Sequence, residues 1–454
     1  MPKKKTALTI EERLQQALVP AEEQPYEVPE NWVWVRLESV ASWGSGGTPS
    51  RKHEEYYNGD ILWIKTGELN NGWIYDTEEK ITDEGLKKSS AKLFPPYSVL
   101  IAMYGATIGK VAILGVPATT NQACACAVCN QSLLYMYLFY YCISQKNVFI
   151  EKGKGGAQPN ISQIILKQHP IPLPPLSEQQ RIVERIEELF AKLDEAKERL
   201  QEVADSFAVR KAAILHKAFT GELTKQWRRE NGVSDESWEE KNLGDVCSKI
   251  TDGTHNSPTN SLTGEYMYVT AKNIKDTGID LSNITYVTKE IHKEIYSRCD
   301  VVYGDVLYIK DGVTAGIATI NTLKEEFSML SSVALIRADL KLATNEFIKT
   351  YLNYRKKEIL KNISGSAITR LTLSKIKNIA ISLPTLPEQH EIVRLIDNLL
   401  ARERSAQQAT EQALASIDLM KKSILARAFR GELGTNKASE ASALELLRQV
   451  LAEN

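Results

Sequence analysis

From Ile182 onward the apolar positions fall at Ile182, Ile186, Leu189, Leu193, Ala196, Leu200, Val203 and Phe207, followed by Arg210 and Ile214. The steps alternate between four and three residues, the seam of a helix that lies along another helix. A second run has the same rhythm: Ile392, Ile396, Leu399, Glu403, Ala406, Thr410, Ala413, Ile417, Met420 and Ile424. Its middle is small or polar where the first run is large, so the pattern predicts that the two helices pack on each other. Prolines precede both starts (Pro174, Pro175; Pro384, Pro387), and Gly221 and Gly431 lie beyond the ends. These residues bracket two long helices.

Upstream of each helix the pattern changes to short apolar runs separated by Gly- and Asn-bearing turns. Trp32 to Leu37, Ile61 to Lys65 and Val99 to Met103 predict strands in the first region, and Tyr266 to Thr270 and Asp305 to Ile309 in the second. Leu133 to Phe149 and Asn345 to Leu360 predict helices. The expected architecture is two α/β (α+β) heads separated by two long antiparallel coiled-coil helices.

The chain is an internal repeat. Leu173-Pro174-Pro175-Leu176-Ser177-Glu178-Gln179-Gln180-Arg181-Ile182-Val183 recurs, 210 positions later, as Leu383-Pro384-Thr385-Leu386-Pro387-Glu388-Gln389-His390-Glu391-Ile392-Val393. Ile214 to Leu223 recurs at the same offset as Ile424 to Leu433. Upstream the match is looser: Val35 to Val40 pairs with Lys241 to Val246, and Ser98-Val99-Leu100 with Asp305-Val306-Leu307. A divergent block followed by a similar block thus occurs twice. The divisions are an N-terminal appendage (1–27), a first head (28–172), a similar region with the first helix (173–223), a linker (224–235), a second head (236–382), a similar region with the second helix (383–433) and a C-terminal appendage (434–454), the last with a short amphipathic helix. If the helices pair they run antiparallel, which returns the chain to its start in a pseudo-two-fold, near-circular repeat. A seam of about 32 residues at 1.5 Å each would hold the heads roughly 48 Å apart.

Composition narrows the function. The 56 Lys and Arg balance 57 Asp and Glu for a formal charge of −1, so polyanion binding would rest on local patches or on a partner's charge. Six cysteines in 454 residues make no disulfide framework and suggest a reducing compartment. The longest greasy run, Leu133 to Ile150, is interrupted by tyrosines, Gln145, Lys146 and Asn147, which argues against a membrane span. The basic start runs into Glu11 and Glu12, so no signal peptide is expected. The chain is expected to be cytoplasmic.

No motif supports a catalytic centre. Tyr104 to Val111 resembles a phosphate loop but is one residue short and lacks a hydroxyl after Lys110; a Gly-rich turn is the simpler reading. Cys124, Cys126 and Cys129 lie at alternate positions of an apolar run without a nearby His, so a buried strand is expected rather than a metal site.

The divergent–similar–divergent–similar plan resembles the DNA-specificity (S, HsdS) subunits of Type I restriction–modification enzymes. Pro29 to Leu37, Pro172 to Gln179, Ala218 to Arg228 and Ser423 to Leu433 carry the resemblance, which extends over nearly the whole chain. Pro387, where the first copy has Ser177, is a departure. The resemblance implies a non-catalytic subunit whose heads are target recognition domains, each reading one half of an asymmetric, bipartite double-stranded DNA target. The helices would be a spacer and would dock two modification (methyltransferase, M) subunits, with restriction/translocase (R) subunits completing the complex. This chain would need no cofactor; S-adenosylmethionine, ATP and Mg belong to the implied partners. The heads, 48 Å apart, would address sites about 14 base pairs apart, a little over one turn of the duplex.

Four loops per head are polar and lie at matching places, most of them Gly-bearing and basic, as base reading with Arg, Lys, Asn or Gln requires. In the first head these are 45–52 (Arg51, Lys52), 65–71 (Lys65, Thr66), 104–110 (Tyr104, Thr107, Lys110) and 152–160 (Lys152, Lys154, Gln158, Asn160). In the second they are 251–256 (Thr254, His255, Asn256), 270–275 (Lys272, Asn273), 310–314 (Lys310, Thr314) and 364–370 (Ser366, Thr369, Arg370). The bland reading of any one of them is a solvated turn. Glu184, Glu188 and Glu195 read as a solvated helix face. The basic helix ends (Arg210, Lys211, Lys217; Lys421, Lys422, Arg427, Arg430) are alternative phosphate contacts. The competing function is a coiled-coil scaffold whose heads bind protein without sequence-specific DNA recognition.

Overall fold

In both copies the chain enters a head on a strand that pairs with the strand on which it leaves. Val33–Arg36 runs antiparallel to Pro170–Leu173, and Glu239–Asn242 to Ala380–Leu383. Each exit strand leads directly into a long helix. The computed structural model describes residues 8–153, 160–361 and 370–453. They form two compact units, Met1–Gln201 with Gln412–Asn454, and Glu202–Glu411. Each unit therefore combines one head with parts of both long helices, Leu176–Phe219 and Leu386–Ala428.

The heads share one topology. In the first, a five-stranded sheet has the order Ala41–Ser45, Cys124–Cys129, Val99–Ala102, Val111–Leu114, Trp73–Ile74. In the second, Cys247–Asp252, Val333–Ala338, Val306–Ile309 and Ala318–Ile320 take the same order. A three-stranded layer accompanies each sheet: Lys80–Ile81, Tyr57–Ile64, Thr119–Thr120, and correspondingly Thr285–Val287, Tyr266–Val269, Phe327–Met329. The central strands are buried on both faces, which is why they read as unbroken apolar runs. Because successive side chains alternate between faces, Val99 and Ile101 join the cluster formed with the helix Tyr135–Ser144, while Leu100 and Ala102 join Ile64 and Leu69. In the second head Val306 and Tyr308 pack with the helix Asn345–Lys361, and Leu307 and Ile309 with Val269 and Phe327. The expected helix 133–149 is in fact two, Tyr135–Ser144 and Lys146–Lys152, divided at Gln145. The cysteine run is the buried strand that its alternation predicted. Burial pushes the Cys124 thiol up to about 12.

The long helices run antiparallel within each unit. In the first, Lys421 Nζ meets Asp194 Oδ1 at 2.6 Å and lies over the Phe190 ring, while Arg181 reaches Glu440 beyond the end of the second helix. In the second, Arg210 Nε meets Glu403 Oε2 at 2.9 Å, and Arg228, past the end of the first helix, reaches Glu388 near the start of the other. The seam departs from its expected register at four places: Ala196, Val203, Ala406 and Met420 are exposed, while Ala204 and Lys421 are half-buried. A helix of 3.6 residues per turn drifts about 20° per heptad from a 3.5 repeat, which rotates such positions outward. Gly431, at φ +75°, closes the second helix; a Cβ there would meet Pro29 Cγ at 2.5 Å.

Both helix starts are anchored alike. Gln179 and Gln389 are fully buried. The Gln179 side chain accepts from Leu134 N and donates to Ser132 O and Pro174 O; that of Gln389 accepts from Thr344 N and donates to Leu342 O and Pro384 O. Beside them Glu178 accepts from the Trp32 indole (2.8 Å) and Thr435, and burial pushes its carboxyl up. Glu388 Oε1 accepts from the Trp238 indole (3.1 Å), Thr224 (2.6 Å) and Arg228 (2.7 Å). The appendages are integrated as well: Ile10–Ala17 packs on Ala443–Glu453, with Arg13 donating to Leu451 O.

Three outcomes follow from this packing. Glu388→Ala leaves a buried guanidinium without its main partner and should cost about 3–5 kcal/mol in a denaturant titration. Arg394→Ala, which removes an exposed pair with Glu391, should cost about 0.5 kcal/mol or less. His169, buried between Tyr141 and Phe149, is depressed by that burial to about 3. The unfolded chain takes up that proton near pH 6.5 and the folded chain does not, so stability is lost as pH falls from about 6.5 toward 3. At the same station the second head has Ile379, whose carbonyl accepts from Leu243 N as that of His169 does from Leu37 N. His169→Ile should therefore remove about 2 kcal/mol of destabilisation between pH 6.5 and 5, read as the difference between the variant's and the parent's unfolding curves.

Candidate nucleic-acid interface

One Gly-bearing loop of each head is the hairpin between adjacent core strands, Val99–Ala102 with Val111–Leu114 and Val306–Ile309 with Ala318–Ile320. Gly105, Gly109, Gly312 and Gly316 adopt positive φ there. The loop enters an antiparallel strand rather than a helix, so it has no helix N-terminus to cradle a phosphate. Tyr104 forms a β-bridge with Asn160, and Asp311 with Arg370. Ile161 N donates to Met103 O (2.9 Å), and Leu371 N to Lys310 O (2.8 Å). In each head the structure thus brings together the hairpin loop and the end of the fourth loop. Lys154, Gln158, Ser366 and Thr369 lie outside the described residues.

A short connecting segment ties the remaining loops to this pair. In the first head Gly47 N donates to Thr120 O, Asn121 N to Ile64 O and Met103 N to Ala123 O, each at 2.9 Å. In the second, Thr254 N donates to Met329 O, Leu330 N to Val269 O and Lys310 N to Ser332 O, at 2.9 to 3.0 Å. The close passage demands glycine: a Cβ on Gly46 would lie 1.7 Å from Thr120 O, and one on Gly253 1.9 Å from Met329 O. Segments 119–123 and 329–332 contain neither glycine nor a basic residue, so a search for basic turns passes over them. Their role is visible only in the hydrogen bonds.

The candidate side chains divide by what holds them. In the first head Arg51 and Lys65 converge on Glu79, at 2.6 and 2.9 Å. Lys65 also approaches Glu78, and these carboxylates, Glu79 foremost, raise its pKa. Arg51 stacks over Tyr57 and Trp63. Lys52, Tyr104, Lys152 and Asn160 are exposed, and Thr66, Thr107 and Lys110 half-buried. The Thr107 hydroxyl donates to Tyr104 O, and Lys152 Nζ lies 3.2 Å from His169 Nδ1.

In the second head His255, Asn256, Lys272, Thr314 and Arg370 are exposed and Thr254 is half-buried. Two expected readers face inward instead. Asn273 is buried and accepts from Thr270 N while donating to Asp280 O. Lys310 is 2% exposed and lies between Asp252 and Asp311. Their polar groups are spent on shaping the loops, because a buried ammonium or amide without partners is costly. A cleft of about 650 Å³ opens beside the three-stranded layer of the second head, lined by Ser257, Asn260, Lys272, Lys275, Asn283 and Ser332 among others. Arg298, on the helix Lys289–Arg298, was not expected here; it joins the rim by donating to Asp252 Oδ1 and Gly253 O.

The basic helix ends are largely engaged: Arg210 with Glu403, Lys217 with Glu222, Lys421 with Asp194, and Arg430 over Tyr26. Lys211 and Lys422 are exposed. Glu184, Glu188 and Glu195 form a solvated face, with Glu188 and Glu195 in exposed pairs along the helix. Among the described residues no group of three or more His, Cys, Asp or Glu could hold a metal ion, and no helix is long and apolar enough to cross a membrane.

Against known proteins, the chain is similar to the specificity subunit of the Type I restriction enzyme MjaIX from Methanocaldococcus jannaschii, with 26% identity over 83% of this chain and 88% of that one. The EcoKI specificity subunit from Escherichia coli is 26% identical over 94% of this chain and 96% of its own. Among solved structures, the HsdS subunit from Thermoanaerobacter tengcongensis shares the fold, with a TM-score of 0.65 and 21% identity over 90% of this chain and all of that one. The family model described as the Type I restriction modification DNA specificity domain matches twice, over residues 29–205 and 235–414. With a copy of that domain in each of its two repeats, the chain belongs to the Type I restriction–modification DNA specificity family.

Proposed function

We propose that this chain is the DNA-recognition subunit of a Type I restriction–modification complex, in which each head reads one half of an asymmetric, bipartite target through its four-loop rim. The observation that carries this reading is the pair of matched rims: one backbone framework, built twice with the same hydrogen bonds, presents different side chains at equivalent stations. Two unlike readers on like frames call for two unlike half-sites. The exposed Lys52, Lys152 and Lys272 and the half-buried Lys110 would meet phosphates, while amides and guanidiniums at the rim would meet base edges. The paired helices would act as the spacer and as the docking surface for two methyltransferase subunits, and restriction subunits would join through that core. A chain with a formal charge of −1 leaves much of the phosphate attraction to those partners. Methyl transfer, with S-adenosylmethionine, and ATP- and Mg-dependent cleavage would reside in the partners, and this chain would bind no cofactor.

Exchange of residues 28–172 for the head of another family member, in a complex with the methyltransferase subunit, should change one half of the methylated sequence and leave the other. Methylome sequencing with both halves changed, or neither, would overturn the reading and favour a scaffold whose heads bind protein. Alanine at Lys52, Lys110, Lys152 or Lys272 should weaken binding evenly across sequences and lower the salt slope of log K by about one for each phosphate left without its lysine. The check is a binding titration of the complex at several salt concentrations, on target and non-target duplexes.

A further inference from the structure

Lys310 is the most deeply buried cation of the second rim. Its ammonium lies 3.3 Å from Asp252 Oδ2 and 3.3 Å from Asp311 Oδ2, and the Asp252 side chain is as shielded as its own. Asp252 is itself held from the far side, by Arg298 at 3.2 Å and His255 at 3.4 Å on Oδ1. Asp311 differs: its Oδ1 is shielded from solvent, has no hydrogen-bond partner among the described residues, and faces Arg370 Nε at 3.5 Å. The backbones of Asp311 and Arg370 are joined by a β-bridge, while the Arg370 side chain is 65% exposed. A chain of charges therefore runs from the interior, Asp252 to Lys310 to Asp311, and ends at an outward-facing guanidinium.

The first head supplies an internal control. At the same stations it has Met103, Tyr104 and Asn160, with the equivalent β-bridge and the equivalent hydrogen bond from Ile161 N to Met103 O. Met103 is buried as Lys310 is. The framework thus closes equally well on a thioether, and a buried ion pair is seldom favoured over an apolar filling of similar size on stability grounds. The charges of the second head serve what that head presents. A guanidinium held through Nε keeps its other edge free, and that edge offers two parallel donors, the match to the O6 and N7 acceptors of guanine in the major groove.

We propose that Arg370 reads a guanine in the half-site of the second head, and that Lys310 is a positioning residue that acts on it through Asp311. This rests on the DNA-recognition reading above. The test uses the full chain assembled with its methyltransferase subunit and duplexes substituted singly at each position of the methylated motif. Arg370→Ala should reduce discrimination in kcat/KM at one G·C pair by about 10- to 100-fold and leave the first half-site unchanged. Lys310→Met, which installs the side chain of the other head but leaves the buried Asp252 with only Arg298 and His255, should relax the same pair and no other, at the cost of a lower melting temperature. Asp311→Asn should do the same. The double variant Lys310→Met, Arg370→Ala should be no more relaxed than Arg370→Ala alone. Unchanged discrimination in any of the three single variants would overturn the proposal, as would relaxation at every position of the second half-site in Lys310→Met. An assembled parent complex without sequence preference at either half-site would instead sink the DNA-recognition reading itself.

Discussion

A buried carboxylate at the start of each long helix is the constraint on which the rest of the molecule depends. Glu178 and Glu388 are both fully buried, and an acid is favoured at a helix N-terminus by the helix dipole. Burial makes the interaction demanding, since each carboxylate must find donors that survive the loss of water. The donors come from separate stretches of chain. One is a tryptophan just before the entry strand or on its approach, Trp32 or Trp238; the others, Thr435 or Thr224 with Arg228, follow the end of the opposite long helix. A single side chain thus pins a head, the helix that leaves it and the segment that returns to it. This is why the first unit is not contiguous in sequence, and why the second helix and tail complete the first head.

On that base the heads separate framework from content. The rims are held by main-chain hydrogen bonds and by glycines where two backbones nearly touch, Gly46 at Thr120 and Gly253 at Met329. Such bonds do not depend on side-chain identity, so the stations they create are free to change. Met103 corresponds to Lys310 across the repeat, Tyr104 to Asp311, Asn160 to Arg370 and His169 to Ile379, all on equivalent backbone. A recognition protein benefits from that arrangement, because new side chains can be tried without refolding the scaffold.

How much of this was legible in the sequence varies with the range of the interaction. The coiled-coil rhythm, the strand runs and the buried cysteine strand depend on neighbours along the chain, and they are where the pattern places them. The seam failed at Ala196, Val203, Ala406 and Met420, where accumulated helical drift, invisible in a series of apolar positions, turned side chains outward. The rim loops were found as glycine-bearing, basic turns, yet Lys310 and Asn273 proved to face inward. A lysine reads as a surface residue unless its counter-ions are known, and Asp252 lies 58 positions away.

By itself the sequence determined the duplication, the two long helices, the α/β character of the heads and the loops proposed to carry the readers. All of these follow from periodicity and from steric limits on glycine and proline, which act over a few residues. Only the tertiary structure decided which halves of the helices share a unit, that three loops of a head meet the end of the fourth in one rim, and which basic residues point outward. These depend on hydrogen bonds and ion pairs between residues far apart in the chain. Their energy comes from burial that no local pattern encodes.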